Sequence, residues 1–150
     1  MVELYFDGAC EPVNPGGTAA FGWLLKKYGK VLQEGSGVVG EGFGMTNNVA
    51  EYQGIIDGVK AFLKMGLKEK LIIKGDSNLV VNMVNKSWGW NKKKTVWKPH
   101  SKMPHLKKLL DEVLLLLTSV DYEIMWVPRE QNTEADELSK RHLIERGLIS

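Results

Sequence analysis

Asp7, Glu51, Asp76 and Asp136 are the residues of this 150-residue chain whose types and settings could do chemistry together. Asp7 closes the apolar run Val2-Glu3-Leu4-Tyr5-Phe6 and Asp76 closes Leu71-Ile72-Ile73-Lys74-Gly75, whereas Glu51 and Asp136 stand where helices open. Carboxylates gathered at one edge of a sheet repel one another unless a cation sits between them. An all-oxygen ligand set suits Mg²⁺ or Mn²⁺ rather than zinc. The four acids therefore point to metal-assisted chemistry on a phosphate. Any one of the aspartates alone reads as a strand-end or cap residue, so the argument rests on all four in their local patterns.

The elements that must position these side chains read as strands first and helices after. Val2 to Ala9 is a strand, and Pro12, Pro15, Gly16 and Gly17 make a turn. Thr18 to Lys27 and Lys30 to Val39 form a hairpin about Tyr28-Gly29, and the glycines from Gly35 to Gly44 read as a loop. Thr46-Asn47-Asn48 supplies cap chemistry for a helix that reaches about Met65 and closes at Gly66. Glu51 falls on its apolar flank, where an ionised carboxylate needs a partner. Leu71 to Ile73 has the uninterrupted apolar character of a central parallel strand, followed by a short helix over Ser77 to Val84. Pro104 sits near the first turn of a helix running to Leu117, and Asp121 to Val127 is the fifth strand. Asn132-Thr133 caps a last helix that reaches about Arg146 and stops at Gly147.

This order predicts an α/β fold with a five-stranded mixed sheet, three antiparallel strands and then two parallel ones, flanked by helices. Sites in such sheets form at the carboxyl ends of parallel strands, where strand order reverses. The length and a 43% hydrophobic content fit one domain over residues 1–150, with a basic aromatic insert at about 85–103.

The charge is lopsided. The net charge is only +2, yet eight lysines and no acid lie between Ser77 and Leu110, so the remainder is net acidic. Trp88, Trp90 and Trp97 are interleaved with Lys92, Lys93 and Lys94. Two readings stay open: a solvated loop with its aromatics in the core, or a nucleic-acid surface where lysines meet phosphates and indoles pack on sugars or bases. The single Cys10 excludes an internal disulfide, and the three histidines show no zinc spacing. The chain enters its first strand without a signal segment, and its longest aliphatic stretch, Val113 to Leu117, falls far short of the ~20 residues that span a bilayer. A soluble cytoplasmic protein with no membrane partner is expected.

Four blocks resemble the signature of type 1 ribonuclease H, in the family's order. They are Tyr5-Phe6-Asp7-Gly8-Ala9-Cys10 with Asn14-Pro15-Gly16-Gly17, then Thr46-Asn47-Asn48-Val49-Ala50-Glu51, Gly75-Asp76-Ser77, and Asn132-Thr133-Glu134-Ala135-Asp136. The first block and Trp126-Val127-Pro128-Arg129-Glu130 are similar to the archaeal-type branch. The resemblance implies a ribonuclease H-like fold and an endonuclease that cuts the RNA strand of RNA/DNA hybrids. It implies two Mg²⁺ or Mn²⁺ ions and products with 5′-phosphate and 3′-hydroxyl ends. It places Asp7 between both ions, Glu51 and Asp76 on the leaving-group side and Asp136 on the nucleophile side.

The resemblance also implies substrate contacts by Asn47, Asn48 and Asn78 toward 2′-hydroxyls or base edges, and by Thr46 toward a DNA-strand phosphate; each also reads as a helix-start residue. Cys10 and Asn14 of the first block, and Trp88, Trp90, Lys92, Lys93 and Lys94 of the insert, join this substrate-facing set. Cys10 is expected as a reduced, partly buried thiol without a catalytic role. Many bacterial members carry a histidine in the loop before the last helix, where this chain has Arg129. An arginine stays protonated at any working pH and cannot be a general base, so its part is electrostatic or in product release. Its plain alternative is an ion pair with Glu130 or Glu134. A monomer is expected, and double-stranded RNA stays open as a second substrate. A catalytically silent hybrid-binding module and a related polynucleotidyl transferase or resolvase are the rival functions.

Overall fold

The computed structural model describes residues 1–90 and 96–149. The chain runs β1 (Val2–Glu11), β2 (Thr18–Lys27), β3 (Lys30–Glu41), α1 (Asn47–Lys64), β4 (Leu71–Gly75), α2 (Asn78–Val84), α3 (Pro104–Leu117), β5 (Tyr122–Trp126), a 3₁₀ turn at Arg129–Gln131 and α4 (Thr133–Glu145). The strands lie in the order β3-β2-β1-β4-β5. The β1–β2 and β2–β3 pairs are antiparallel, whereas β1–β4 and β4–β5 are parallel. The expected five-stranded mixed sheet is therefore present, with β1 at its centre.

Strand alternation sorts the two faces. Val2, Leu4 and Phe6 of β1 and Phe21, Trp23 and Leu25 of β2 bury against Tyr52, Ile55, Ile56 and Val59 of α1, and Leu106, Leu110 and Val113 of α3 extend the same core. On the opposite face Leu24 packs with Ala135 and Leu138 of α4, with Tyr5 beside them. Each large apolar side chain removed from water contributes roughly 1.5 to 3 kcal/mol, so the first face holds most of the fold's apolar stabilisation.

Three details differ from expectation. The glycines from Gly35 to Gly44 do not form a loop throughout, because β3 continues to Glu41. Gly35 pairs with Trp23 and Gly37 with Phe21, and a Cβ at either would come within 2.5 or 2.8 Å of those rings. The missing side chains make room for β2's aromatics. The first strand, expected to end at Ala9, runs on to Glu11; what stops just before Asp7 is the parallel ladder to β4, whose last pair is Tyr5 with Lys74. Asn132 occupies the N-cap position of α4 but makes no side-chain cap bond there. No helix among the described residues is long and apolar enough to cross a membrane.

Candidate active site

Two glycines let the helices reach the acids' strand. A Cβ on Gly8 would lie 2.4 Å from the backbone nitrogen of Glu51, so α1 rests directly on β1 there. A Cβ on Gly22, the β2 partner of Asp7, would lie 2.5 Å from both Leu138 Cβ and Ser139 N, so α4 rests directly on β2. Close approach on both sides brings Glu51 and Asp136 to Asp7. Asp76 arrives from the residue after β4.

One carboxylate oxygen from each of Asp7, Glu51 and Asp76 can be chosen so that all three lie within 4.8 Å of one another. Asp7 and Glu51 are buried, at 5% and 4% exposure. Burial, then the adjoining Asp136 and the charge of Asp76, push the Asp7 carboxyl up to about 8. Burial is also the leading cause at Glu51, followed by the charges of Asp7 and Asp76, and raises it well above the usual carboxylate range. Glu51 Oε2 is buried without a hydrogen-bond partner. Three close oxygens, two of them on acids reluctant to ionise, and an orphaned acceptor fit a hard divalent cation, which would supply the missing positive charge. Glu51 is the fifth residue of α1, one turn further in than a helix-opening residue, which accounts for its burial.

Asp136 stands outside this triad but lines the same cleft. It lies in the first turn of α4, where the helix dipole favours an anion, and its Oδ2 accepts from Lys140 Nζ at 3.2 Å. The cleft, about 460 Å³, is also lined by Cys10, Asn14, Asn47, Ser77, Arg129 and Lys140. Asn14 and Asn47 bond reciprocally: Asn14 Nδ2 donates to Asn47 Oδ1 at 2.9 Å, and the Asn47 amide donates to Asn14 Oδ1 at 3.2 Å. This pair ties the β1–β2 turn to the start of α1. Cys10 is a buried free thiol whose Sγ donates to Val13 O at 3.3 Å. Arg129 is exposed and makes no ion pair among the described residues, so the expected alternative bridges to Glu130 and Glu134 are not formed. Glu134 pairs with Lys26 instead.

The reverse transcriptase-like family model matches residues 5–142. A ribonuclease H of Syntrophus aciditrophicus is 36% identical over 146 residues, which are 93% of this chain and 79% of that protein. The chain belongs to the ribonuclease H family. RNase H1 of the halophilic archaeon Halobacterium salinarum superposes with a TM-score of 0.78 at 32% identity, over 96% of this chain and 98% of that one. The bifunctional protein Rv2228c of Mycobacterium tuberculosis is 34% identical over 129 residues, 84% of this chain but only 30% of that protein.

The remaining ribonuclease H positions divide. Thr46 Oγ1 accepts from the Val49 amide at 3.1 Å and so caps α1, and Thr46 lines a neighbouring apolar groove rather than the cleft. Asn48 is half-buried at the start of α1, and Asn78 is exposed at the start of α2; neither lines the cleft. Ser77, not Asn78, takes the capping role there, accepting from the Val80 amide at 3.3 Å. Trp88 and Trp90 are exposed at 45% and 43%, while Trp97 packs against the core and donates to Trp88 O at 3.0 Å. Lys92, Lys93 and Lys94 lie outside the described residues. The sequence reading missed Ser77 and Lys140. The latter was visible only as an Asp136/Lys140 pair at helical spacing, a pattern that usually marks a solvated surface.

Proposed function

We propose that the chain is a metal-dependent endoribonuclease that hydrolyses the RNA strand of RNA/DNA hybrids, leaving 5′-phosphate and 3′-hydroxyl ends. The observation that carries this is the triad of Asp7, Glu51 and Asp76 oxygens within 4.8 Å, two of the acids buried, at the floor of an open cleft. Asp7, Glu51, Asp76 and Asp136 would hold two Mg²⁺ or Mn²⁺ ions. Bound there, such ions acidify a water and neutralise a departing oxygen.

The chain's own residues account for the rest. Water attacks the scissile phosphorus, the bond to the 3′ oxygen breaks, and the proton lost by the water is balanced by the one the leaving oxygen gains. Arg129, exposed at the cleft and permanently charged, offsets the phosphate's negative charge without titrating. Asn14 and Asn47 present amide donors and acceptors at the cleft, suited to 2′-hydroxyls, and Cys10 lines it as a buried thiol. Asn48 and Asn78, at the starts of α1 and α2, and Thr46 in the neighbouring groove would meet the hybrid only beyond the cleft. The exposed Trp88 and Trp90 would offer stacking surfaces to the nucleic acid, and the charges of Lys92, Lys93 and Lys94 would add attraction for its phosphates. One chain supplies all four acids, so no second copy is needed to complete the cluster, and the proposed unit is a single-domain monomer.

Cleavage of end-labelled hybrid, duplex RNA and duplex DNA, each with Mg²⁺, Mn²⁺ or chelator, tests this. Metal-dependent cutting of the RNA strand in hybrid supports it, and the duplex RNA arm reports a second substrate. Binding without cutting would make the chain a silent hybrid-binding module. Cutting confined to DNA would move it to the resolvase or transferase class.

A further inference from the structure

We infer that Asn132 is a positioning residue that fixes the separation of Asp7 and Asp136, acting as a strut between β1 and α4. The inference rests on the proposed assignment of those two aspartates as metal ligands. Asn132 is 1% exposed, and its Nδ2 donates to Phe6 O at 2.9 Å, across 126 residues of sequence. Phe6 is the residue before Asp7 and lies one position past Tyr5–Lys74, where the β1–β4 ladder ends. The amide of Asn132 thus takes a backbone carbonyl of the central strand at the point where the neighbouring strand stops serving it. At its other end Asn132 is built into the first turn of α4: its own carbonyl accepts from the Asp136 amide at 3.0 Å. Asp136 is further fixed by Ser139 Oγ, which donates to its backbone carbonyl at 2.7 Å.

The choice of side chain supports this role. A residue at this position ordinarily caps the helix through a side-chain oxygen, and Asn132 does not. Its Oδ1 is buried and has no partner. Buried polar atoms without partners are uncommon and call for a reason. Here the donor is what the position needs, and the orphaned oxygen comes with it. An aspartate or serine would cap α4 better, but an ionised aspartate could not donate to Phe6 O. Groups that orient metal ligands in this way typically alter metal affinity about 10- to 100-fold when removed.

The experiment is calorimetric titration of the substrate-free protein with Mn²⁺, comparing the parent, Asn132→Ala, Asp136→Asn and the double variant, with unfolding temperatures recorded for each. Asn132→Ala should weaken Mn²⁺ binding about tenfold or more. In the Asp136→Asn background the same change should add less than about twofold, because the ligand being positioned is gone. With substrate, turnover should fall while the Michaelis constant holds. If Asn132→Ala does not fold, Asn132→Ser, which keeps a hydroxyl donor, replaces it and should lose less. A folded variant that binds Mn²⁺ like the parent, while Asp136→Asn binds weakly, overturns the strut and leaves the proposed function standing. Equal losses in both backgrounds also overturn it, because they mark a general structural effect. Parent-like binding by Asp136→Asn overturns the assignment of Asp136, and the strut with it.

Discussion

Replacing Asp7 by Asn should silence the protein and stabilise it at once. Asp7 is 5% exposed, and its carboxyl is pushed from 3.8 up to about 8, by burial first and then by Asp136 and Asp76. A native pKa above the unfolded one means that the native state holds a proton the unfolded chain has released. Stability from this group is therefore complete below 3.8 and is lost as pH rises through about 8. Each unit is worth about 1.36 kcal/mol, so the roughly three units between 3.8 and neutrality set a ceiling of about 4 kcal/mol near pH 7. Glu51 is raised too, by burial first and then by the charges of Asp7 and Asp76, and the two acids titrate as a pair. Spreading the effect over both leaves an expected gain of about 2 to 4 kcal/mol for Asp7→Asn, whose amide mimics the neutral acid.

For a domain of this size that gain raises the unfolding temperature by roughly 5 to 15 °C. The assay is calorimetric unfolding in chelator near pH 7 and near pH 4, repeated with Mn²⁺. The variant's advantage should be large near neutrality and shrink toward acid, where both proteins carry a neutral group. Mn²⁺ should raise the parent and close the gap, while hydrolysis by the variant falls by several orders of magnitude. A variant no more stable than the parent near pH 7, or a gain independent of pH, would refute the reasoning. Either result would mean that Asp7 ionises comfortably without a cation, and that the cluster is not poised for one.

Three further outcomes follow from the geometry. Arg129→Ala should lower turnover about ten- to a hundredfold, the worth of one electrostatic contact of ~1.4 to 2.7 kcal/mol, without changing the shape of the pH profile; a lost ionisation limb would contradict this. Changing Lys92, Lys93 and Lys94 to Ala should flatten the plot of log hybrid affinity against log salt by ~0.9 per lost phosphate contact and raise the Michaelis constant, whereas an unchanged slope would show a merely solvated loop. Gly22→Ala should push α4 off β2, because the new Cβ meets Leu138 Cβ and Ser139 N at 2.5 Å. Chemical denaturation should show a loss of about 1 to 3 kcal/mol, with weaker Mn²⁺ binding as Asp136 retreats.

What could be read from the sequence depended on how local each signal was. The element order and the helix capped by Thr46 follow from periodicity and cap chemistry within a few residues, and the mixed sheet and the cap bond agree with them; the four acids stood out by their settings and by the family blocks. The glycines of β3 misled because their cause is non-local: the empty space above Gly35 and Gly37 is filled by Trp23 and Phe21 of the neighbouring strand. Asn132 misled in the same way. Its residue type says cap through Oδ1, and only the fold supplies the carbonyl of Phe6, far away in sequence, that its Nδ2 serves instead. Gly8 and Gly22 look like ordinary strand interruptions, yet they set how closely α1 and α4 approach and hence where Glu51 and Asp136 stand. The candidate ligand types could be read because they are local. Their spacing could not, because the approach of the helices is set by side chains absent at two glycines, and the proposed strut is an amide that reaches across the sheet.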